Sequence, residues 1–74
     1  MRPRNPMPDF AEQSLRERGL MDAYLARPPY QRNDYLGWIS RAKREETVQK
    51  RLEQMLEELR RGDVYMKMSW RAKD

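Results

Sequence analysis

The chain has 74 residues, enough for one small domain near the lower size limit of a single hydrophobic core. It contains no cysteine and no histidine. This excludes disulfides, cysteine–zinc clusters and a thiol nucleophile, and it removes the commonest general base and transition-metal ligand. With 16 Lys and Arg against 12 Asp and Glu, the net charge of +4 is compatible with an anionic partner but identifies none.

Hydropathy predicts neither a membrane span nor a secretory signal. No run of about 18 apolar residues occurs, and the basic N-terminus is not followed by an apolar stretch. We therefore expect a cytoplasmic protein. Residues 1–8 carry three prolines, which restrict the backbone and do not continue a helix, so we expect a flexible leader there.

The first predicted helix covers residues 10–18. Asp9 precedes it as an N-cap, and Glu12 stands in the capping-box position. Gly19 follows as the C′ residue of a Schellman ending. A second short helix is predicted over residues 20–27, where two prolines stop it. It is too short to be stable alone and has to pack on the rest of the chain.

The third and fourth predicted helices, residues 29–42 and 45–61, form the centre of the fold. Each carries an apolar stripe at helical spacing, and Gly62 ends the fourth helix. Gly37 is predicted to face solvent, where close packing does not explain a glycine. The stripe residues are Tyr35, Trp38, Ile39 and Ala42 in the third helix and Val48, Leu52, Met55, Leu56 and Leu59 in the fourth.

Residues 63–74 form a C-terminal tail with alternating apolar and polar positions. A single strand has no partner within the chain, so a sheet inside the monomer is disfavoured. We expect the tail to dock across the helices or to fray, in preference to pairing with another chain. The predicted fold class is therefore all-α: a bundle of about four helices over residues 9–62, with a leader and a tail.

The segment from Pro28 to Gly62 resembles the C-terminal helical domain of the YdeI/OmpD-associated (OmdA-like, bacteriocin-protection) family. Three departures stand out: Gln31 replaces a histidine of the family pattern, Pro28 a capping serine, and Val48 an arginine. The resemblance implies a small all-helical bacterial domain linked to porin association and to protection against bacteriocins or antimicrobial peptides. The matching residues are Pro29, Arg32, Tyr35, Trp38, Ile39, Ala42, Lys43, Arg44, Glu46, Thr47, Arg51, Met55, Leu56, Leu59 and Gly62.

Polar residues around the turn between the third and fourth helices form the candidate site. Their arginines are suited to bidentate binding of a carboxylate or phosphate. A structural interpretation weighs slightly more: Glu46 and Thr47 would cap the first turn of the fourth helix, and Arg44 would bind the last carbonyls of the third. The candidate partner-binding residues are Arg41, Lys43, Arg44, Glu46, Thr47 and Arg51.

We expect a non-catalytic interaction module without cofactor or metal, acting on an unidentified protein partner. With neither His nor Cys, no nucleophile has an activating base at a useful spacing. The alternative is a small nucleic-acid-associated protein, which is disfavoured because Glu45 and Glu46 begin the fourth helix and no cationic stripe follows. A homodimer joined through the tail is a third hypothesis. The nucleic-acid alternative would use Arg41, Lys43, Arg44, Lys50 and Arg51.

Overall fold

The computed structural model describes residues 5–71. The predicted helices are present, and their ends lie within two residues of the predicted ones. The helices are α1 Asp9–Glu17, α2 Met21–Leu25, α3 Pro29–Ser40 and α4 Glu45–Arg61, and an antiparallel hairpin of β1 Val64–Tyr65 and β2 Met68–Ser69 follows them. No helix within residues 5–71 is long and apolar enough to cross a membrane.

The hairpin corrects the all-α prediction: the domain is mostly helical, with a small two-stranded sheet inside the monomer. Val64 pairs with Ser69 and Tyr65 with Met68. The turn between the strands, which the sequence did not indicate, places two non-glycine residues in the left-handed region, Met66 at φ 50° and Lys67 at φ 65°. An Asn-Gly pair usually supplies this turn, so its signal was missing.

Helix α1 ends as predicted but begins differently. The Schellman ending at Gly19 is confirmed: the N–H of Leu20 donates to the carbonyl of Leu15 at 2.8 Å, and Gly19 has φ 66°. The capping box is wrong, because helix α1 has no side-chain cap hydrogen bond. Glu12 instead accepts from Arg16 at 3.2 Å.

In the predicted flexible leader, Asn5 binds α3 and Met7 packs against the core, while residues 1–4 of that leader and 72–74 of the tail lie outside the described part. The backbone N–H of Asn5 donates to Asn33 Oδ1 at 2.7 Å. Gly37, predicted to face solvent, is buried instead. A Cβ at Gly37 would stand 2.7 Å from Asn5 Nδ2 and 2.9 Å from a guanidinium nitrogen of Arg41, so the glycine leaves room for both side chains.

The core lies between α3 and α4 and is closed by α1 and α2. The predicted stripe is largely confirmed, although Trp38 and Val48 pack at its edge and are only partly buried. Ala42, also predicted for the stripe, lies beyond the end of α3 and is only partly buried. Helix α1 contributes Ala11 and Leu15, which are buried because the apolar face of this helix packs against the other core residues. The buried apolar residues are Ala11, Leu15, Tyr24, Tyr35, Leu36, Ile39, Leu52, Met55, Leu56 and Leu59.

Candidate functional site

The turn between α3 and α4 presents three cations to solvent. Arg41, Lys43 and Arg44 are all exposed, and we call residues 41–44 the basic turn. Arg44 forms a loose ion pair with Glu46, with Nη1 and Oε1 3.6 Å apart and both side chains more than two-thirds exposed. Such a pair contributes little to stability and leaves both groups accessible to a partner.

Arg51 of helix α4 binds the end of helix α3, beside the basic turn. Its Nη1 donates to the backbone carbonyl of Trp38 at 2.5 Å, and its guanidinium lies 5.2 Å from the centroid of the Trp38 ring. Arg51 therefore makes the bond that was predicted for Arg44, because it donates to a carbonyl in the last turn of α3. The expectation of side-chain caps is wrong, since α4 begins without one.

The structure thus brings the six candidate residues to one corner but separates them by environment. Thr47 and Arg51 are partly buried, and the backbone N–H of Thr47 donates to the carbonyl of Arg44 at 3.0 Å. The exposed members are the basic turn and Glu46. The role of these residues in binding stays a prediction, and the exposed members are the ones able to touch a partner. They are Arg41, Lys43, Arg44 and Glu46.

A buried carboxylate that sequence reasoning missed lies under the hairpin. Glu58 is 4% exposed, and its Oε1 accepts from the hydroxyl of Tyr35 and from the backbone N–H of Met66 at 2.8 Å. Its Oε2 accepts from the N–H of Lys67 at 2.9 Å and from Gln54 Nε2 at 3.1 Å. Four donors fill the four acceptor sites of a carboxylate, so Glu58 is suited to holding the hairpin turn.

Burial raises the pKa of the Tyr35 hydroxyl well above its usual value. The hydrogen bond to Glu58 and the negative charge of that carboxylate raise it further, while the positive charge of Arg27 and the N–H of Met66 oppose them. The Tyr35 hydroxyl therefore remains a donor to Glu58 above about pH 10, where a solvent-exposed tyrosine ionises. Burial also raises the pKa of Tyr24, against the charge of Arg32.

Arg27 joins this network to the end of the hairpin. The side chain is 4% exposed. Its Nη1 donates to Gln31 Oε1 at 3.1 Å, its Nη2 donates to the backbone carbonyl of Glu58 at 3.0 Å, and its guanidinium carbon lies 4.6 Å from the centroid of the Trp70 ring. Three fixed contacts hold this charge inside the fold, which is the condition under which a buried arginine is tolerated.

Gln31 gives a physical meaning to a departure from the family pattern. This side chain is fully buried, accepts from Arg27 and donates through Nε2 to the hydroxyl of Tyr30 at 3.0 Å. An amide carries an acceptor and a donor at once and has no charge to compete with the arginine. The sequence did contain one sign of this network. Glu58 stands three residues after Met55 and so lies on the apolar stripe of α4, which predicts a buried carboxylate.

Tyr65 closes the network from the hairpin side. Its ring meets Tyr30 and Tyr35 edge-on, with centroids 6.0 and 5.4 Å apart, and its hydroxyl donates to Asp34 Oδ2 at 2.8 Å. Edge-to-face pairs of this kind stabilise aromatic clusters beyond the area that they bury. The hairpin therefore packs against the domain's core through Tyr65 and Met66, which are partly buried.

These features define a small, mostly helical domain with an exposed basic turn and a buried carboxylate that holds a C-terminal hairpin. The chain belongs to the OmdA family, described as bacteriocin-protection, YdeI or OmpD-associated, whose model matches residues 6–62. The resemblance stated above is thereby confirmed, and the hairpin follows the matched region. Comparison with curated proteins and with solved structures gave no match.

Proposed function

We propose that this domain is a non-catalytic interaction module that binds an acidic surface of a protein partner through its basic turn. The observation that carries the proposal is the grouping of Arg41, Lys43 and Arg44 on a turn whose two flanking helices are joined by the bond from Arg51 to Trp38. A preformed cationic surface of this kind favours rapid association with a partner of opposite charge. The absence of His and Cys from the sequence supports a role without catalysis.

The family membership supports a bacterial setting for this module. The family is described by bacteriocin protection and by association with OmpD, so the proposed role is in the response to bacteriocins or antimicrobial peptides. We place the protein in the cytoplasm, where its partner would carry the signal or the protective activity. The domain would then contribute recognition, and its partner the effect.

Affinity capture from the native bacterium tests the proposed surface. Lys43→Glu combined with Arg44→Glu reverses the charge of the basic turn without touching the core. We expect at least a tenfold loss of the captured partner, since opposing charges at a contact surface disfavour association. Arg16→Glu combined with Lys50→Glu changes the net charge equally and should leave capture unchanged, because these exposed residues lie outside the turn.

Two further measurements separate the proposal from nucleic-acid binding and from a purely structural role. Binding to generic duplex DNA that weakens steeply with salt, and that Lys43→Glu abolishes, would replace the protein partner with nucleic acid. A strain lacking the gene should be more sensitive to bacteriocin, and wild type should restore survival while the turn variant should not. Full restoration by the turn variant would contradict a role for this surface in protection.

A further inference from the structure

A groove of about 680 Å³ lies beside the first turn of α3, between the α2–α3 connection and the residues that follow the hairpin. Helix α3 has 12 residues and is therefore roughly 18 Å long, so this groove and the basic turn lie at opposite ends of it. We call it the arginine–aromatic groove. The residues that line it include Leu25, Arg27, Tyr30, Arg32, Trp70 and Arg71.

The charge of the groove is one-sided. Three arginines line it and no carboxylate does. Within residues 5–71, none of the ion pairs includes Arg27, Arg32 or Arg71. Arg27 is buried and occupied by its own contacts, so Arg32 and Arg71 are the charges that the groove offers to a ligand. Because neither forms an ion pair within the described part of the chain, the groove is complementary to an anionic group.

Arg32 carries an unsatisfied hydrogen-bond donor. Its Nε is buried and has no hydrogen-bond partner among the described residues. A buried donor without a partner is costly, and planar carboxylates bind arginine through two parallel hydrogen bonds. A carboxylate seated on Arg32 would satisfy this Nε–H together with one Nη once the side chain turns into the groove.

The rest of the wall is apolar and aromatic. Leu25 is 55% exposed and Tyr30 48% exposed, both large for apolar or aromatic residues of a small domain. Trp70 is fixed by its stacking on Arg27, which gives the groove a rigid aromatic side. Tryptophan, tyrosine and arginine are the residues that most often dominate binding energy at protein interfaces.

We propose that the arginine–aromatic groove binds an extended acidic segment of a protein, in which a Glu or Asp side chain meets Arg32 and an adjacent apolar or aromatic side chain packs between Leu25, Tyr30 and Trp70. A peptide fits better than a nucleic acid strand because the cations are grouped at one point and aliphatic surface lies beside them, whereas a strand needs a cationic track. This site is separate from the basic turn and does not depend on the function proposed for it.

Fluorescence anisotropy with a labelled octapeptide that alternates Glu and Phe, amidated at its C-terminus, tests this site. We expect saturable binding to the full chain below about 1 mM. Arg32→Gln should weaken the peptide at least tenfold by removing the bidentate donor, and Leu25→Glu should do the same by placing a carboxylate on the exposed wall. Arg44→Gln, at the other end of α3, should leave the affinity unchanged.

Two further probes complete the test, with helical circular dichroism confirming that each variant is folded. A peptide with Lys in place of every Glu should not bind. Absence of saturation with the Glu–Phe peptide, equal affinity for Arg32→Gln and wild type, or equal weakening by Arg44→Gln would overturn the proposal. Tighter binding of a labelled oligo-dT strand than of the peptide would overturn it in favour of nucleic acid.

Discussion

Glu58 shows how one buried charge determines the conformation of a neighbouring segment. Its four hydrogen bonds reach Tyr35 and Gln54 on the helices and two backbone N–H groups in the hairpin turn. Hydrogen bonds to an ionised group are about twice as strong as neutral ones. The left-handed conformations of Met66 and Lys67 are therefore stabilised from outside the turn, by a side chain of helix α4.

Tyr35→Phe should change how stability depends on pH. The folded-state pKa of Tyr35 is raised above the unfolded value of about 10. Its contribution to stability is thus fully present below about pH 10 and is lost as the pH rises through the higher folded value. In urea unfolding, the free energy of unfolding should fall less between about pH 8 and about pH 11 in the variant than in wild type. At about pH 8 the variant should be less stable by ~1–2 kcal/mol, because Glu58 loses a donor.

Tyr30→Phe is the matched control for this measurement. It also removes a hydroxyl from α3, but from an exposed ring whose hydroxyl accepts from Gln31 and does not touch Glu58. Because the control keeps the Tyr35–Glu58 bond, it should lose as much stability between the two pH values as the wild-type protein does. Identical pH dependence in Tyr35→Phe and wild type would show that the Tyr35 hydroxyl ionises as freely in the folded chain as in the unfolded one. The Tyr35→Phe variant should still lose some stability at high pH, because the buried Tyr24 also has a raised pKa.

At the level of elements, patterns that repeat along a helix could be predicted and single side-chain contacts could not. The stripe of α4 and the glycine at its end predicted that helix to the residue, since periodicity and a left-handed cap are local properties. The capping box at Asp9 was wrong because Glu12 binds Arg16 instead. The hairpin was missed because the residues of its turn derive their conformation from Glu58, eight positions away in sequence.

Lys67→Gly should stabilise the hairpin. A left-handed conformation costs a non-glycine residue about 1–2 kcal/mol, and glycine avoids this cost while losing about 0.5–1 kcal/mol of backbone entropy. We expect a net gain of about 0.5 kcal/mol, seen in thermal unfolding as a rise in Tm of roughly 2–4 °C. Lys67 is exposed and its backbone N–H is kept, so the bond to Glu58 survives the change.

Lys50→Gly is the control for this substitution and should lower the stability. Lys50 is also an exposed lysine, but it lies inside helix α4, where glycine costs about 1 kcal/mol. The two substitutions should therefore shift Tm in opposite directions. A fall in Tm for Lys67→Gly would mean that the left-handed turn is not formed in solution.

For the whole molecule, the sequence predicted the helical domain and the corner, but not the contacts that complete the core. The corner residues were identified through the family resemblance, and the structure divides them by exposure. Thr47 and Arg51 are partly buried, and the other four are exposed. Arg27, Gln31 and Glu58 were missed because polar residues on a helix are expected to face water. Arg27 and Glu58 bind residues far away in sequence, which periodicity does not report. The partners of Gln31 are close in sequence, but hydropathy does not show that they are buried together.

Shortening the chain after Gly62 should destabilise the entire domain. The match to the family ends at residue 62, yet the hairpin beyond it covers Tyr35 and supplies two donors to Glu58. Their removal leaves a buried carboxylate with fewer partners, and we expect the free energy of unfolding to fall by at least about 2 kcal/mol. A chain ending at Arg71 keeps the hairpin and is the matched control, so the loss is measured as the difference between it and the chain ending at Gly62. Equal urea midpoints for these two chains would contradict this role of the hairpin.

The dependence of the hairpin turn on Glu58 also sets an order of folding. The hydroxyl of Tyr35 on α3 orients the Glu58 carboxylate of α4, so we expect the acceptor for the turn's N–H groups to be positioned once these helices have packed. Helical contacts are local and form quickly, so we expect the hairpin to close after the transition state for folding has been crossed. Lys67→Gly would then slow unfolding and leave the folding rate unchanged in stopped-flow measurements. An increased folding rate in that variant would instead place the hairpin in the nucleus.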